Sequence, residues 1–158
     1  MARGIHTGDK APDFTLPSQS GDPVRLFDRL GERAVVLYFY PKDNTSGCTA
    51  EACAFRDSYE VFTNAGADVI GVSSDSVARH VGFADQHKLP FTLLSDQGGR
   101  VRKSYGVPAT FGVIPGRVTY VIDRGGTVRH VFNSMTHIDQ HVSEALEVVR
   151  QLQAEQPA

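Results

Sequence analysis

Ala34-Val35-Val36-Leu37-Tyr38-Phe39-Tyr40 runs directly into Pro41-Lys42-Asp43-Asn44-Thr45-Ser46-Gly47-Cys48-Thr49-Ala50-Glu51-Ala52-Cys53. The first seven residues are apolar without a break, the pattern of a central strand covered on both faces. A helix is predicted to follow from about Gly47 to Asn64, stopped near Gly66. Both cysteines of the chain fall in this unit. A thiol placed where a strand ends and a helix begins sits at the positive end of the helix dipole, which favours the thiolate and hence a nucleophile.

Outward from that unit, the chain alternates strands and helices. Asp13-Phe14-Thr15-Leu16 and Pro23-Val24-Arg25-Leu26 flank Ser20-Gly21-Asp22 and read as a small hairpin at a sheet edge. Val69-Ile70-Gly71-Val72-Ser73 is a second central strand, and Ser74-Asp75-Ser76 caps a helix ending near His87. Phe91-Thr92-Leu93-Leu94 is a short strand, and a brief helix around Arg100 to Tyr105 leads to Gly106. Val118 to Ile122 and Thr127 to Phe132 flank Asp123-Arg124-Gly125-Gly126, a strong hairpin signal. The last helix carries Ile138, Val142, Ala145, Leu146, Val149 and Leu152 on one stripe. This order is α/β with a mixed central sheet flanked by helices and an N-terminal β-hairpin. It matches the thioredoxin-like arrangement, among other three-layer α/β folds.

The 158 residues are read as a single domain over 1–152 and a loose tail over 153–158. A net charge of -2 offers no electrostatic case for nucleic acid or an anionic membrane. No apolar run approaches the roughly 20 residues of a membrane span. Met1-Ala2-Arg3-Gly4-Ile5-His6 lacks the apolar middle of a signal peptide. The expected setting is therefore a reducing cytoplasm, where two cysteines serve catalysis, redox exchange or metal binding rather than a permanent staple. A metal would need more ligands. Of the six histidines only His137 and His141 share helical spacing, and both are expected on a solvated surface.

The helix phase follows from Ala52, Phe55, Tyr59 and Phe62, which define its buried face. Cys48 lies one turn before Ala52 and points inward; Cys53 is about 140° further around the axis at ~100° per residue. In an intact helix their Cα atoms would be roughly 8.5 Å apart, beyond the about 7 Å a disulfide tolerates. Two small buried hydrophobes are one reading of such a pair. The other is a thiolate that reacts first, becomes a sulfenic acid on meeting a peroxide, and is reached by Cys53 once the first turn unwinds.

The segment Phe39-Tyr40-Pro41-Lys42-Asp43-Asn44-Thr45-Ser46-Gly47-Cys48-Thr49 resembles the peroxiredoxin active-site signature, Pro-x-x-x-Thr-x-x-Cys. The second cysteine five positions on is similar to the peroxiredoxin Q class, also called bacterioferritin comigratory protein. The resemblance starts at Gly8-Asp9-Lys10-Ala11-Pro12-Asp13-Phe14-Thr15-Leu16, continues through Glu51-Ala52-Cys53-Ala54-Phe55-Arg56-Asp57 and reaches Tyr120-Val121-Ile122-Asp123. It implies Cys48 as the peroxidatic thiolate and Cys53 as the resolving cysteine. It implies that Thr45 holds the peroxide, that Pro41 shields the thiolate, that Arg117 stabilises thiolate and leaving oxygen, and that Glu51 orients Arg117. The implied cycle reduces hydrogen peroxide or an alkyl hydroperoxide, forms a Cys48–Cys53 disulfide, and returns it to dithiol through thioredoxin or another dithiol reductant. No metal, haem or flavin is implied, and the absence of a long C-terminal extension fits a monomer or weak homodimer.

Each residue also has a plainer reading: Thr45 or Ser46 as a helix cap, Pro41 as a turn former, Gly116-Arg117 as a solvated strand entry. Ser46 stands where the family often has proline, which should loosen the loop slightly. A thiol–disulfide oxidoreductase without peroxidase activity is the nearest rival, disfavoured by the four residues between the cysteines. A serine hydrolase built on Ser73, Asp75 and His80 lacks the second glycine of a nucleophile elbow. A binding or chaperone role would leave function intact when both cysteines are replaced. Peroxide preference is expected to depend on pocket shape around Val107 to Ile114.

Overall fold

The computed structural model describes residues 4–110 and 114–155. Thr15–Pro17 (β1) and Pro23–Arg25 (β2) pair antiparallel as the expected edge hairpin, Leu16 opposite Val24. One helical turn, Leu26–Arg29 (α1), leads to Ala34–Phe39 (β3), Ser46–Asp57 (α2) and Tyr59–Asn64 (α3). Ala67–Ser73 (β4), Val77–His87 (α4), Thr92–Ser95 (β5) and Arg100–Tyr105 (α5) follow. Two short strands, Ala109–Thr110 (β6) and Ile114–Pro115 (β7), precede Val118–Ile122 (β8), Val128–Asn133 (β9) and Ile138–Glu155 (α6).

The main sheet has the order β5-β4-β3-β8-β9, parallel through β5, β4 and β3 and antiparallel from β3 through β8 to β9. This is the mixed α/β sheet expected. Because β3 is its middle strand, every residue from Ala34 to Phe39 is buried, and alternation sends them to two cores. Val36, Tyr38 and Tyr40 pack with Cys48, Ala52 and Phe55 of α2 and with Val142, Ala145 and Val149 of α6. Val35, Leu37 and Phe39 pack on the other face with Val101 and Tyr105 of α5 and Leu26. α2 thus packs on the central strand and beside α6, which lies on the same face of the sheet.

Gly71 on β4 makes one of these contacts possible. A Cβ there would lie 2.9 Å from Tyr38 Oη, on a ring that stacks on Phe55 with centroids 4.5 Å apart. Gly71→Ala is expected to cost about 1–3 kcal/mol through overpacking, read as a lower urea midpoint.

Two expectations need correction, and one element was not expected. The helix predicted from Gly47 to Asn64 is two helices, because Ser58 leaves the helical region (φ -100°, ψ 1°) with its N–H donating back to Ala54 O. Serine has little helix propensity with which to resist that departure. The tail begins later than residue 153, since Gln153, Ala154 and Glu155 extend α6 and both Glu155 oxygens accept from Arg129 Nη2 at 2.9 Å. The β6–β7 pairing had no sequence signal, each strand being two residues long. Residues 111–113, within the stretch expected to shape peroxide preference, and residues 156–158 of the tail lie outside the described residues. Among the described residues no helix is long and apolar enough to cross a membrane.

Candidate active site

The loop between β3 and α2 is pinned from below before it reaches Cys48. Asp43, buried, accepts from Tyr40 Oη at 2.5 Å and lies 2.6 Å from His80 Nδ1, while its N–H donates to Asp75 Oδ2 at 2.8 Å. The other ring nitrogen of His80 meets Leu94 O at 2.9 Å. His80 therefore turns to Asp43 and β5, and the Ser73 hydroxyl donates to Asp75 at 2.7 Å; no hydrolase triad forms. Removing the acceptor at the centre of this buried network strands both partners, so Asp43→Ala is expected to cost about 3 kcal/mol of stability, measured by urea denaturation.

The loop delivers Thr45 to the N-cap position and Cys48 to the first turn of α2. The first backbone bond of the helix is Thr49 N–H to Thr45 O at 2.8 Å, so the amides before it point past the helix end without an intrahelical acceptor. Cys48 faces inward and is 1% exposed, as the phase of Ala52 and Phe55 requires. Thr45 does not cap with its side chain; its hydroxyl donates to Lys42 O at 3.0 Å and the residue is exposed. Pro41 is half-buried at the start of the loop. Both thiols are free, and an unbroken α2 holds Cys53, half-buried, away from the inward face.

Arg117 reaches this helix from the opposite side, just before β8. It is 3% exposed, so the solvated strand entry fails. Its guanidinium is spent three ways: Nη1 donates to Glu51 Oε1 at 2.5 Å, Nη2 to Cys48 Sγ at 3.4 Å, and Nε to Met135 O at 3.2 Å. Burial alone would lower the arginine's pKa, but Glu51 and then Cys48 raise it on balance. The close approach depends on Gly47, where a Cβ would lie 3.0 Å from Arg117 Nη2. Glu51 is fully buried on α2 one turn from Cys48, and burial pushes its carboxyl up to about 7 against the opposing pull of Arg117. Cys48, Glu51 and Arg117 therefore meet in one dry cluster, whereas Thr45, Pro41 and Cys53 make no hydrogen bond to it.

Sequence reasoning missed His141. Expected on a solvated surface with His137, it is fully buried, while His137 is exposed. Its Nε2 lies 2.7 Å from Ser134 O, its Nδ1 2.7 Å from Thr119 Oγ1, and the same Nδ1 is 3.7 Å from Glu51 Oε2. The signal was present: His141 stands four residues before Ala145, which stands four before Val149, on the buried stripe of α6. Polar identity outweighed position in that reading. Among the described residues no group of three or more His, Cys, Asp or Glu side chains could hold a metal ion.

The AhpC/TSA family model matches residues 7–131. The chloroplastic peroxiredoxin Q of Oryza sativa subsp. japonica is 52% identical over 149 residues, covering 94% of this chain and 68% of that protein. That of Arabidopsis thaliana is 52% identical over 147 residues, 92% of this chain and 68% of that protein. Among solved structures, the peroxidoxin BcpB of Mycobacterium tuberculosis superposes with a TM-score of 0.87 at 39% identity, over 96% of this chain and 98% of that one. The Xanthomonas campestris bacterioferritin comigratory protein, described by its alkyl peroxide reduction activity, superposes with a TM-score of 0.81 at 28% identity, over 89% and 92%. The plant relatives overturn the expected cytoplasmic location, since they are chloroplastic proteins. Two free thiols fit any reducing compartment and carry no address.

Proposed function

Since the chain belongs to the AhpC/TSA family and is a thiol-dependent peroxidase of the peroxiredoxin Q type, we propose that Cys48 is its peroxidatic nucleophile and Cys53 its resolving thiol. The observation that carries this reading is the buried contact of Arg117 with both Cys48 and Glu51. A guanidinium already in place at the sulfur stabilises negative charge there and on the oxygen that leaves, without reorganisation during the reaction.

In the first step the Cys48 sulfur attacks one peroxide oxygen. The S–O bond forms as the O–O bond breaks, sulfur is oxidised to sulfenic acid, and hydroxide or alkoxide departs to take up a proton. Thr45 commits its hydroxyl proton to Lys42 O, so towards the substrate it acts as an acceptor for the peroxide O–H. The free amides at the start of α2 supply donors to the departing oxygen. Pro41, half-buried beside the loop, keeps water from the sulfur. Cys53 then attacks the sulfenic sulfur, expelling water and forming the disulfide. That step needs the first turns of α2 to open, and helix ends open at low cost.

The substrate is hydrogen peroxide or an organic hydroperoxide, thioredoxin or another dithiol protein is the reductant, and the chain works as a single domain, monomeric or weakly dimeric. One equivalent of hydrogen peroxide added to the reduced chain is expected to consume both thiols and leave a Cys48–Cys53 cross-linked peptide, which thioredoxin reverses. Two surviving thiols would sink the assignment of Cys48. Loss of one thiol without a cross-link would remove Cys53 from its role, and a disulfide that thioredoxin leaves intact would remove that partner.

A further inference from the structure

Among the described residues Arg117 is the one cation in contact with two buried acids, Cys48 and Glu51. Were both ionised, the site would hold a net negative charge out of water, and burial penalises that heavily. The carboxylate shows the strain in its geometry. Glu51 Oε1 takes a bond from Arg117, but Oε2 is buried with no hydrogen-bond partner. His141 Nδ1 lies 3.7 Å from that oxygen. His141 presents Nε2 to the Ser134 carbonyl, so that nitrogen carries the ring proton, and the Thr119 hydroxyl donates to Nδ1. Nδ1 thus has no proton to offer, nothing compensates charge on Oε2, and a proton on that oxygen removes the charge.

Resting on the peroxidase reading, we propose that Cys48 and Glu51 share a single proton about Arg117. When Cys48 is thiolate, Glu51 is the protonated partner, its unpaired oxygen beside His141. The peroxide step then balances within the site. Sulfur loses its charge as the S–O bond forms, Arg117 is left to Glu51 alone, and Glu51 releases one proton while the departing hydroxide or alkoxide takes one up. His141 is a positioning residue, acting through Glu51. The carboxyl's raised value of about 7 and the histidine's lowered value of about 4, both caused first by burial, agree with this distribution. The other titratable group facing the pair is Tyr38 on β3, whose hydroxyl burial keeps neutral, and Arg117, His130 and His137 all disfavour charge on His141.

The test uses the full chain carrying Cys53→Ser, so that oxidation halts at the sulfenic acid. Infrared difference spectra, reduced minus peroxide-treated at neutral pH, should show one protonated-carboxyl band that is lost on oxidation. Adding Glu51→Gln should erase that band. In weak buffer with an indicator dye, net proton uptake per peroxide should be near zero with Glu51 and rise to one in Glu51→Gln. Peroxide consumed with no such band, or with one proton taken up in both chains, overturns the proposal and leaves the peroxidase reading standing; no peroxide consumed at all fails that reading instead. His141→Gln should move the band's frequency and the pH at which it fades. A band unmoved in both removes His141 from its part. Stability against pH is an independent readout. Glu51, whose folded value lies above its unfolded one, makes stability fall as pH rises between about 4.5 and 7, while His141, lowered from 6.5 to about 4, makes it rise over much of that window. Measured against Glu51→Gln, which cancels the histidine, the wild-type unfolding midpoint should fall across the window, and a difference that is flat or rising also overturns the proposal.

Discussion

Cys48→Ser will reduce peroxide consumption to the uncatalysed background, whereas Cys53→Ser will consume one equivalent rapidly and not cycle, taking up more only as excess peroxide overoxidises Cys48. The difference follows from where the two sulfurs stand. Cys48 lies in the dry cluster with Arg117 and Glu51, and a serine hydroxyl there is too weak an acid to become the nucleophile that a thiolate is. Cys53 is outside the cluster on the same helix, so its loss leaves the first chemical step untouched. The sulfenic acid then has no thiol to meet, and excess peroxide drives it to sulfinic acid, which dithiols do not restore. Rapid-mixing peroxide assays, with mass spectrometry of the Cys48 peptide, check both arms. A Cys53→Ser chain that cycles normally with thioredoxin would show that another thiol resolves the intermediate.

Arg117→Ala is expected to lower the second-order rate constant for peroxide by roughly 10²–10³-fold, the loss seen when one prearranged charge-stabilising donor is removed. The variant leaves Glu51 buried without the donor that Arg117 supplies, so its carboxyl will keep its proton to higher pH than the value of about 7 it has beside Arg117. Arg117→Lys keeps the charge but has no planar fork, and one ammonium cannot serve Glu51, Cys48 and the Met135 carbonyl together. Its rate should fall between those of the wild type and the alanine variant. Stopped-flow kinetics on all three, in the Cys53→Ser background, isolate this step. A rate constant unchanged in Arg117→Ala would place the arginine outside the reaction.

The uninterrupted apolar run Ala34 to Tyr40 determined the centre of the fold. Only a strand covered on both faces accommodates seven such residues in a row, and β3 proved to be the middle of five. The phase of Ala52 and Phe55 likewise determined that Cys48 faces inward and Cys53 does not, because helical geometry links residues a few positions apart. What the tertiary structure alone decided are the contacts made across long separations. Arg117 meets residues 66 and 69 positions away, and His80 meets Asp43 across 37. His141 meets Thr119 across 22 and stands behind Glu51. Local pattern carries no information about which buried polar group answers which, since each partner is chosen by strand order and by how the helices lie on the sheet. The sequence by itself thus determined the strand, the helix and the inward thiol; packing decided that one guanidinium would serve two acids, and that a histidine read as surface would lie behind them.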